Sequence, residues 1–269
     1  MRELPKELVL PADMVPETFT GPPVEPRDAA TVALVRDGAA GVEAFLLRRV
    51  AGMAFAGGMT VFPGGGVDQR DADTSVAWSG PSPSWWASRF ACSVELATAL
   101  VCAAVRETFE ESGVLLAGPS ASSVVADTTG FSAARAALVA RELSLAQFLS
   151  AEGLVLRADL LRPWANWVTP EEEPRRYDTR FFVAVLPEGQ RADGATTEAS
   201  DAVWQRPVDA LADWKAGRRA LMPPTWVTLA ELDDLGSVAA VLDEQRSESV
   251  TKVMPKLVRD GEVLRVVVS

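Results

Sequence analysis

Four charged residues stand close together near the middle of the chain: Arg106, Glu107, Glu110 and Glu111. In an α-helix, residues three and four positions apart lie on one face, so the three carboxylates would project the same way. Like charges at this spacing repel one another and weaken a helix. A divalent cation would turn that penalty into binding, and carboxylate oxygens suit Mg²⁺ and Mn²⁺. The spacing predicts a metal site formed by Glu107, Glu110 and Glu111; the competing interpretation is a solvated acidic helix face.

The residues before these acids favour the metal site over a surface helix. Positions 96–105 are almost wholly apolar, which predicts a largely buried helix over residues 94–112. Gly113 follows as a C-terminal stop, because glycine readily adopts the left-handed conformation that ends helices. The acidic end of this helix would therefore point into folded structure, where Arg106 can bridge back to one of the glutamates and hold it.

A glycine-rich turn lies upstream of the acids, with the sequence Phe62-Pro63-Gly64-Gly65-Gly66. A residue without a side chain lets the main chain approach a metal closely, so Gly65 can add its backbone carbonyl to the ligands. Gly64 and Gly66 fit a simple tight turn as well as they fit a functional role.

Together, the two motifs resemble the Nudix box of the Nudix hydrolases, which cleave diphosphate linkages in nucleoside diphosphate derivatives. The family pattern is Gly, five residues, Glu, seven residues, then Arg-Glu-U-x-Glu-Glu-x-Gly-U, where U is bulky and apolar. The second half matches residues 106–114, except that Thr108 takes a U position. The first half departs, because Thr98 stands where the pattern, counted back from Arg106, has Glu. Gly65 and Arg106 are 41 residues apart, so about 27 residues are inserted.

The interrupted box resembles the branch of the family that includes the peroxisomal coenzyme A diphosphatase-like proteins. Other segments look like that branch too: FLLRR at 45–49, FAGGMTVFPGG at 55–65, WANWVTPEEEPRRYDTRFF at 164–182 and GRRALMPPTWVTL at 217–229. The resemblance covers most of residues 28–230. It implies a Mg²⁺- or Mn²⁺-dependent enzyme, and the segment around residues 48–65 resembles a region associated with coenzyme A recognition.

The resemblance also implies a fourth carboxylate from a later loop, as a metal ligand or as the general base that takes the proton of the attacking water. Glu198 is the first candidate, because it stands in a predicted loop six residues before Trp204, where a strand begins. Glu173 is the rival, because it lies in the branch-like segment, although runs of three acids such as 171–173 are usually solvent-facing. The predicted catalytic residues are therefore Glu110, Glu111 and Glu198.

Two pairs of arginines are candidates for binding the diphosphate of the substrate. Arg48 and Arg49 follow a predicted strand just before the glycine turn, and Arg175 and Arg176 lie in the loop before the strand predicted at 180–186. The planar guanidinium group matches the geometry of phosphate oxygens. Each of these residues could instead lie at the surface or pair with one of the many acids.

The composition of the chain excludes several classes of function. The net charge of −11 and the pI near 4.7 argue against nucleic acid or an anionic membrane as the partner. The absence of histidine excludes histidine bases, histidine metal ligands and Ser-His-Asp or Cys-His catalysis. Cys92 and Cys102 are too few for a disulfide framework and fit reduced packing residues. With no signal peptide, membrane span or peroxisomal address recognised, we expect a cytoplasmic protein.

Strands and helices mixed around the acidic helix predict an α/β (α+β) fold, an α/β/α sandwich with a mixed sheet, and the resemblance implies the same Nudix-type fold. Residues 1–27 form an extended, proline-rich segment, and 28–269 a single domain with an insertion at 67–93 and a C-terminal helical and hairpin elaboration at 217–269. Strands are predicted at 29–36, 42–49, 164–168, 180–186, from 203, 254–258 and 263–268. Further helices are predicted at 132–152, 208–216, 225–235 and 238–247.

These observations predict a metal-dependent hydrolase that cleaves a diphosphate linkage in a small nucleotide-linked substrate, with coenzyme A or acyl-coenzyme A in view. The alternatives are a nucleoside diphosphate sugar or dinucleotide pyrophosphatase and, in a different class, a non-catalytic Nudix domain that senses a nucleotide. The tryptophan-rich insertion could cover the pocket and stack an adenine, or it could be hydrophobic filler. The tryptophans and the C-terminal elaboration fit a homodimer interface and a core role equally well.

Overall fold

The computed structural model describes residues 7–10, 21–52, 56–244, 249–260 and 263–267. These residues form fourteen β-strands and seven α-helices. The strands are β1 (Glu7–Leu10), β2 (Arg27–Gly38), β3 (Gly41–Arg49), β4 (Thr60–Val61), β5 (Gly64–Gly66), β6 (Trp78–Ser79), β7 (Ala117–Gly118), β8 (Val155–Arg157), β9 (Leu161–Val168), β10 (Tyr177–Val185), β11 (Ala199–Gln205), β12 (Lys252–Val253), β13 (Lys256–Asp260) and β14 (Val263–Val267). The helices are α1 (Pro83–Phe90), α2 (Val94–Ser112), α3 (Ser132–Val139), α4 (Leu145–Ala151), α5 (Pro207–Lys215), α6 (Pro223–Leu235) and α7 (Val238–Asp243).

A mixed eight-stranded sheet runs through the centre, in the order β11-β3-β2-β10-β9-β12, with β4 paired to β3 and β5 to β2. The pairs β2·β10 and β9·β12 are parallel and the other pairs antiparallel. β2 and β10 are buried along most of their length, as expected for central strands covered on both faces. β5 places the three glycines of the turn directly beside β2, with Gly65 opposite Ala30.

Helices cover both faces of this sheet, which confirms the predicted α/β/α sandwich. Because successive strand residues point to opposite faces, Val32 and Leu34 pack into one hydrophobic core and Ala33 and Val35 into the other. The first core contains α1, α2 and α4, and the second contains parts of α5, α6 and α7. The acidic helix is thus held against one face of the sheet along its apolar length.

α2 spans the residues predicted for it, and local chemistry explains both ends. Ser93 caps the N-terminus by accepting a hydrogen bond from the backbone N–H of Leu96 at 3.1 Å. Gly113 ends the helix in the left-handed conformation with φ of 73°, and its N–H donates to the carbonyl of Phe109. Fourteen of the nineteen residues of α2 are buried, so packing rather than helix propensity fixes its position.

The insertion at 67–93 packs mainly against the first core, and its first residues, 67–70, line the cleft described below. It contains a short 3-10 helix (Gln69–Ala72), β6 and α1. Trp86 is fully buried, with Phe90 and Phe182 against its ring. The indole N–H of Trp78 donates to the carbonyl of Pro81. Of the two functions considered for these tryptophans, the structure supports packing.

The prediction of one helix over 132–152 is wrong, because the chain breaks between α3 and α4. Arg141 adopts a left-handed conformation with φ of 59°, and Ser144 starts α4 as a new N-cap in a capping box with Gln147. The predicted C-terminal hairpin is confirmed: β13 and β14 are antiparallel. β1, from the segment predicted to be extended, joins them as a third strand on the other side of β14. Residues 245–247, predicted to continue α7, and Val268, predicted to end the hairpin, lie outside the described residues.

Within the described ranges, no single helix is long and apolar enough to cross a bilayer; the bent pair α1 and α2, at 96° to each other, meets the length and composition criteria jointly.

Candidate active site

The acidic end of α2 is organised around the guanidinium group of Arg106. Its Nη1 donates to Glu107 at 2.7 Å and to Glu110 at 3.2 Å, as the sequence predicted for a bridging arginine. Its Nη2 donates to the carbonyl of Gly66 at 3.0 Å, which ties the helix to the glycine turn. One arginine therefore orients two carboxylates and links them to the segment that brings the backbone close.

Asp71 completes this arrangement, and sequence reasoning missed it. Its carboxylate accepts from Nε and Nη2 of Arg106 at 2.9 and 2.8 Å, a bidentate pair that is almost fully buried. Asp71 stands six residues after Gly65, where the Nudix pattern counted forward from glycine has Glu. Counting backward from Arg106 had pointed to Thr98, whose hydroxyl donates only to the carbonyl of Val94 within α2. The inserted residues therefore come after Asp71, which takes the acidic position of the first half of the motif. The sequence signal for Asp71 was its spacing of six residues after Gly65.

Glu111 holds the glycine turn in place from behind. Its carboxylate accepts a hydrogen bond from the backbone N–H of Gly64 at 2.8 Å, and its side chain is buried. A Cβ on Gly64 would lie 2.5 Å from the hydroxyl oxygen of Thr31, so the turn packs too closely on β2 for any other residue. Gly64 thus has a structural requirement that the sequence left open.

Gly65 lies directly against Glu107. A Cβ built on Gly65 would lie 2.5 to 2.7 Å from the carboxylate atoms of Glu107. By contrast, a Cβ on Gly66 would meet nothing within 4 Å. The absence of a side chain at position 65 therefore lets the backbone approach a glutamate closely.

Burial raises the proton affinity of all three glutamates. It brings the pKa of Glu107 to about 7, with Arg106 opposing the shift and Glu110 adding to it. The pKa of Glu111 lies well above its usual range, mainly through burial and then through the charge of Glu107. Burial also raises the pKa of Glu110. Burial thus disfavours the charged form of these three carboxyl groups, and a cation bound beside them would favour it.

The oxygen atoms of these residues are the kind of ligand that a hard divalent cation prefers, although the side chains do not form a complete coordination site. Among the described residues, no three His, Cys, Asp or Glu side chains are gathered to hold one ion. Arg106 bonds one oxygen each of Glu107 and Glu110, and the Gly64 N–H bonds one oxygen of Glu111. Buried carboxylates short of positive charge, together with a backbone that approaches Glu107, suit Mg²⁺ or Mn²⁺. The metal-binding roles of Glu107, Glu110, Glu111 and Gly65 stay predictions.

A cleft of about 960 Å³ opens over this end of α2. Glu107, Glu110 and Arg106 line it beside the three glycines, whereas Glu111 lies behind the glycine turn. Much of the remaining lining is apolar and comes from five regions of the chain: Met59, Phe62, Leu138, Val139, Trp167, Phe181, Met222, Pro223, Pro255, Leu257 and Val266. The cleft therefore combines a charged site with apolar walls, at a size typical of small-molecule sites.

Both candidates for the fourth carboxylate line the cleft. Glu198 is half-exposed, pairs with Arg49 at 3.3 Å, and contributes to the raised pKa values of Glu110 and Glu111. Burial raises the pKa of Glu173, and the neighbouring Glu172 adds to the shift. The contact with Arg49 and the influence of its charge on the α2 glutamates support Glu198, whose role stays a prediction.

Of the four arginines predicted to bind substrate, the structure brings Arg49 to the cleft. Arg48, the neighbour of Arg49 on β3, is exposed, as is Arg175. Arg176 is buried and donates to the carbonyls of Thr169 and Val24 at 3.1 and 2.7 Å, so it joins two loops. Arg48, Arg175 and Arg176 are not among the residues that line the cleft.

Comparison with known proteins finds the Nudix family over more than half of the chain. A family model described as the NUDT19 Nudix domain matches residues 87–232, from α1 through most of α6. The putative nudix hydrolase 7 of Caenorhabditis elegans is 30% identical over 192 residues, which is 71% of this chain and 55% of that protein. The acyl-coenzyme A diphosphatase NUDT19 of Xenopus laevis is 26% identical over 225 residues, which is 71% of this chain and 59% of that protein.

The chain thus spans somewhat more than half the length of these two curated relatives. Among solved structures, the crystal structure of a NUDIX hydrolase from Alicyclobacillus acidocaldarius superimposes with a TM-score of 0.68 at 28% identity. That alignment covers 82% of this chain and 96% of the other. The similarity therefore extends over most of both chains.

Proposed function

Because this chain belongs to the Nudix hydrolase family, of the type represented by the NUDT19 Nudix domain, we propose that it is a divalent-metal-dependent diphosphatase. The proposed reaction is attack by water on one phosphorus of a diphosphate linkage, with cleavage of the bridging P–O bond and release of two phosphate monoesters. The observation that carries the proposal is the cleft that places Glu107, Glu110 and Glu198 beside the glycine turn.

Coenzyme A or an acyl-coenzyme A is the proposed substrate. Two curated relatives, from Xenopus laevis and Gallus gallus, are named acyl-coenzyme A diphosphatases. The apolar wall of the cleft, which includes Trp167, Met222 and Leu257, supports a substrate with an extended and partly apolar arm beside its diphosphate. A nucleoside diphosphate sugar would leave much of this wall without an apolar partner.

The residues of the chain have separate roles in the proposed mechanism. Glu107, Glu110 and Glu111, with the carbonyl of Gly65, would hold Mg²⁺ or Mn²⁺; such a cation supplies charge neutralisation and a more acidic bound water. Arg106 and Asp71 keep the carboxylates oriented. Diphosphate cleavage depends mainly on positioning and on stabilising charge at the phosphoryl oxygens, so a rigid donor set of this kind is what the reaction requires.

Glu198 is the proposed general base. It is half-exposed at the cleft, so it can exchange the proton that it takes from water with solvent. Arg49, 3.3 Å from Glu198, holds that carboxylate and offers a positive charge to phosphoryl oxygens. Replacing the base with its amide, Glu198→Gln, is expected to lower turnover by about a hundredfold.

A product assay on a substrate panel tests the proposal. The panel is coenzyme A, acetyl-coenzyme A, ADP-ribose, NADH, UDP-glucose and diadenosine polyphosphates, each with Mg²⁺ or Mn²⁺ and each with and without EDTA. Metal-dependent release of 3′,5′-ADP from coenzyme A or its thioester is the expected result. Cleavage of another member alone would support diphosphate hydrolysis and contradict coenzyme A as the substrate. Binding of a nucleotide without turnover of any member would point to a sensor instead.

A further inference from the structure

We propose that the Arg135–Asp193 ion pair is a positioning device that fixes the acidic end of α2 against the loop carrying Glu198. The inference rests on the proposed function, because it assumes that the metal ligands on α2 and the base Glu198 must be held at fixed positions relative to each other. Arg135 lies on α3, and Asp193 lies between β10 and β11, so neither belongs to the box motif.

Arg135 binds the last turn of α2 directly. Its Nε donates to the backbone carbonyl of Glu110 at 3.0 Å, one of the carbonyls that a helix end leaves without an intrahelical partner. α2 has no basic residue in its own last turn, so α3 supplies the positive charge that favours a helix C-terminus. The residue bound in this way is itself a proposed metal ligand.

The same guanidinium group holds Asp193. Its Nη1 donates to both carboxylate oxygens of Asp193 at 2.8 and 2.9 Å. The backbone N–H of Asp193 in turn donates to the carbonyl of Ser112 at 2.9 Å, so the contacts close into a ring that starts and ends on α2. Surface ion pairs usually contribute little to stability. The Arg135 side chain, however, is only 12% exposed, and it bonds both the end of α2 and the loop that contains Asp193.

Gly113 provides the space for this ring. A Cβ at this position would lie 2.9 Å from Nη1 of Arg135 and 3.1 Å from a carboxylate oxygen of Asp193. The glycine that ends α2 is therefore needed for its left-handed φ of 73° and also for the close passage of the ion pair.

Short contacts carry the constraint from Asp193 to Glu198. The Asp193 carboxylate accepts from the N–H of Ala195 at 2.9 Å, and the Thr196 hydroxyl accepts from the N–H of Glu198 at 3.2 Å. The carbonyl of Glu198 then accepts from the N–H of Val50, next to β3. The loop is thus anchored at α2 by one end and at the sheet by the other, with Glu198 at the cleft.

Variants of the pair test the inference through metal binding, measured without substrate by Mn²⁺ electron paramagnetic resonance, and through kinetics. Asp193→Asn is nearly isosteric and the Asp193 side chain is half-exposed, so we expect the fold to stay intact while the contact with Nη1 of Arg135 weakens. Arg135→Lys keeps the charge but cannot bond the Glu110 carbonyl and both Asp193 oxygens together. We expect each variant to weaken Mn²⁺ binding and to lower kcat by about tenfold, with KM changed less than twofold.

Asp127→Asn is the matched control, because Asp127 lines the same small cavity as Arg135 while its carboxylate accepts from the N–H of Thr129. It should leave Mn²⁺ affinity and kcat unchanged. Wild-type Mn²⁺ affinity in Asp193→Asn and Arg135→Lys would overturn the inference, whatever their thermal stability. Weaker Mn²⁺ binding in both variants, beside a wild-type protein that hydrolyses no diphosphate, would support the positioning role and overturn only the proposed function. A wild-type protein that binds no Mn²⁺ would overturn both.

Discussion

Arg106 and Asp71 are the pair of side chains on which the geometry of the site depends most. Asp71 lies in the short 3-10 helix after the glycine turn, and Arg106, which it binds, donates to Glu107 and Glu110. Both partners are nearly buried, so neither can find water as a substitute. Residues 35 positions apart are thus joined in one network.

Asp71→Asn should lower both stability and activity. Removing one partner of a buried ion pair leaves the other charge unbalanced, which costs about 3 kcal/mol of the free energy of unfolding. Urea denaturation and turnover of the substrate found in the panel check this expectation. Asp73→Asn is the control, because Asp73 is exposed and caps only the turn at Ser75. Equal behaviour of the two variants would contradict the role of Asp71.

The pH dependence of stability should reveal the buried glutamates. Burial raises the pKa of Glu107 from 4.5 to about 7, so the folded state holds a proton that the unfolded chain releases. The stabilising contribution of that proton is fully present below pH 4.5 and is lost as the pH rises through 7. Without divalent metal, Glu107→Gln should therefore be more stable than the wild type at pH 8, by about 2 kcal/mol.

The measurement is the free energy of unfolding of wild type and Glu107→Gln between pH 4 and pH 8 in EDTA. The two curves should converge at the acidic end. Parallel curves across the whole range would contradict a raised pKa at Glu107. Addition of Mn²⁺ at pH 8 should stabilise the wild type more than the variant, since the cation replaces the missing proton.

At the scale of elements, the site is a contact between α2 and the glycine strand β5. The bounds of α2 were predictable because the apolar run, Ser93 and Gly113 are all local signals. The break between α3 and α4 was missed, although Ser144 and Gln147, spaced as a capping box, are a local signal for a new helix start. The forward spacing from Gly65 was a signal for Asp71, but its contact with Arg106 depends on how residues 35 positions apart pack. Local chemistry thus predicted the elements, whereas long-range packing decided which residues meet.

Gly65→Ala tests the contact between the two elements. The added methyl group would overlap the Glu107 carboxylate, which Arg106 prevents from moving freely, so we expect weaker Mn²⁺ binding and at least tenfold lower kcat. Gly66→Ala is the matched control, since its Cβ meets nothing within 4 Å. Similar kinetics for the two variants would show that close approach at position 65 is not required.

At the scale of the whole molecule, separate parts of the chain converge on one cleft. The glycine turn, the end of α2, the loop before α6 and the C-terminal sheet all contribute walls. The prediction of a C-terminal elaboration with a hairpin is confirmed, but its position beside the cleft required the structure. This convergence places Leu257 of β13 and Val266 of β14 in the wall of the cleft that we propose for the substrate.

Leu257→Ala tests whether the C-terminal sheet contributes to substrate binding. If the apolar wall receives the acyl arm, the variant should raise KM for a long-chain acyl-coenzyme A by about fivefold while changing KM for free coenzyme A little, because one apolar side chain contributes about 1 kcal/mol. The control is Val258→Ala, since Val258 is 46% exposed and does not line the cleft. Equal effects on the two substrates would assign Leu257 to packing rather than to recognition.

The most direct test of the account is to measure metal-dependent diphosphate cleavage by the wild type and by Glu110→Gln, with Glu95→Gln as the control on the exposed first turn of the same helix. We predict that the wild type requires Mg²⁺ or Mn²⁺, that Glu110→Gln loses at least about a hundredfold in kcat with weaker Mn²⁺ binding, and that Glu95→Gln matches the wild type. Near-wild-type turnover by Glu110→Gln, or wild-type turnover in EDTA, would contradict a metal site at the end of α2.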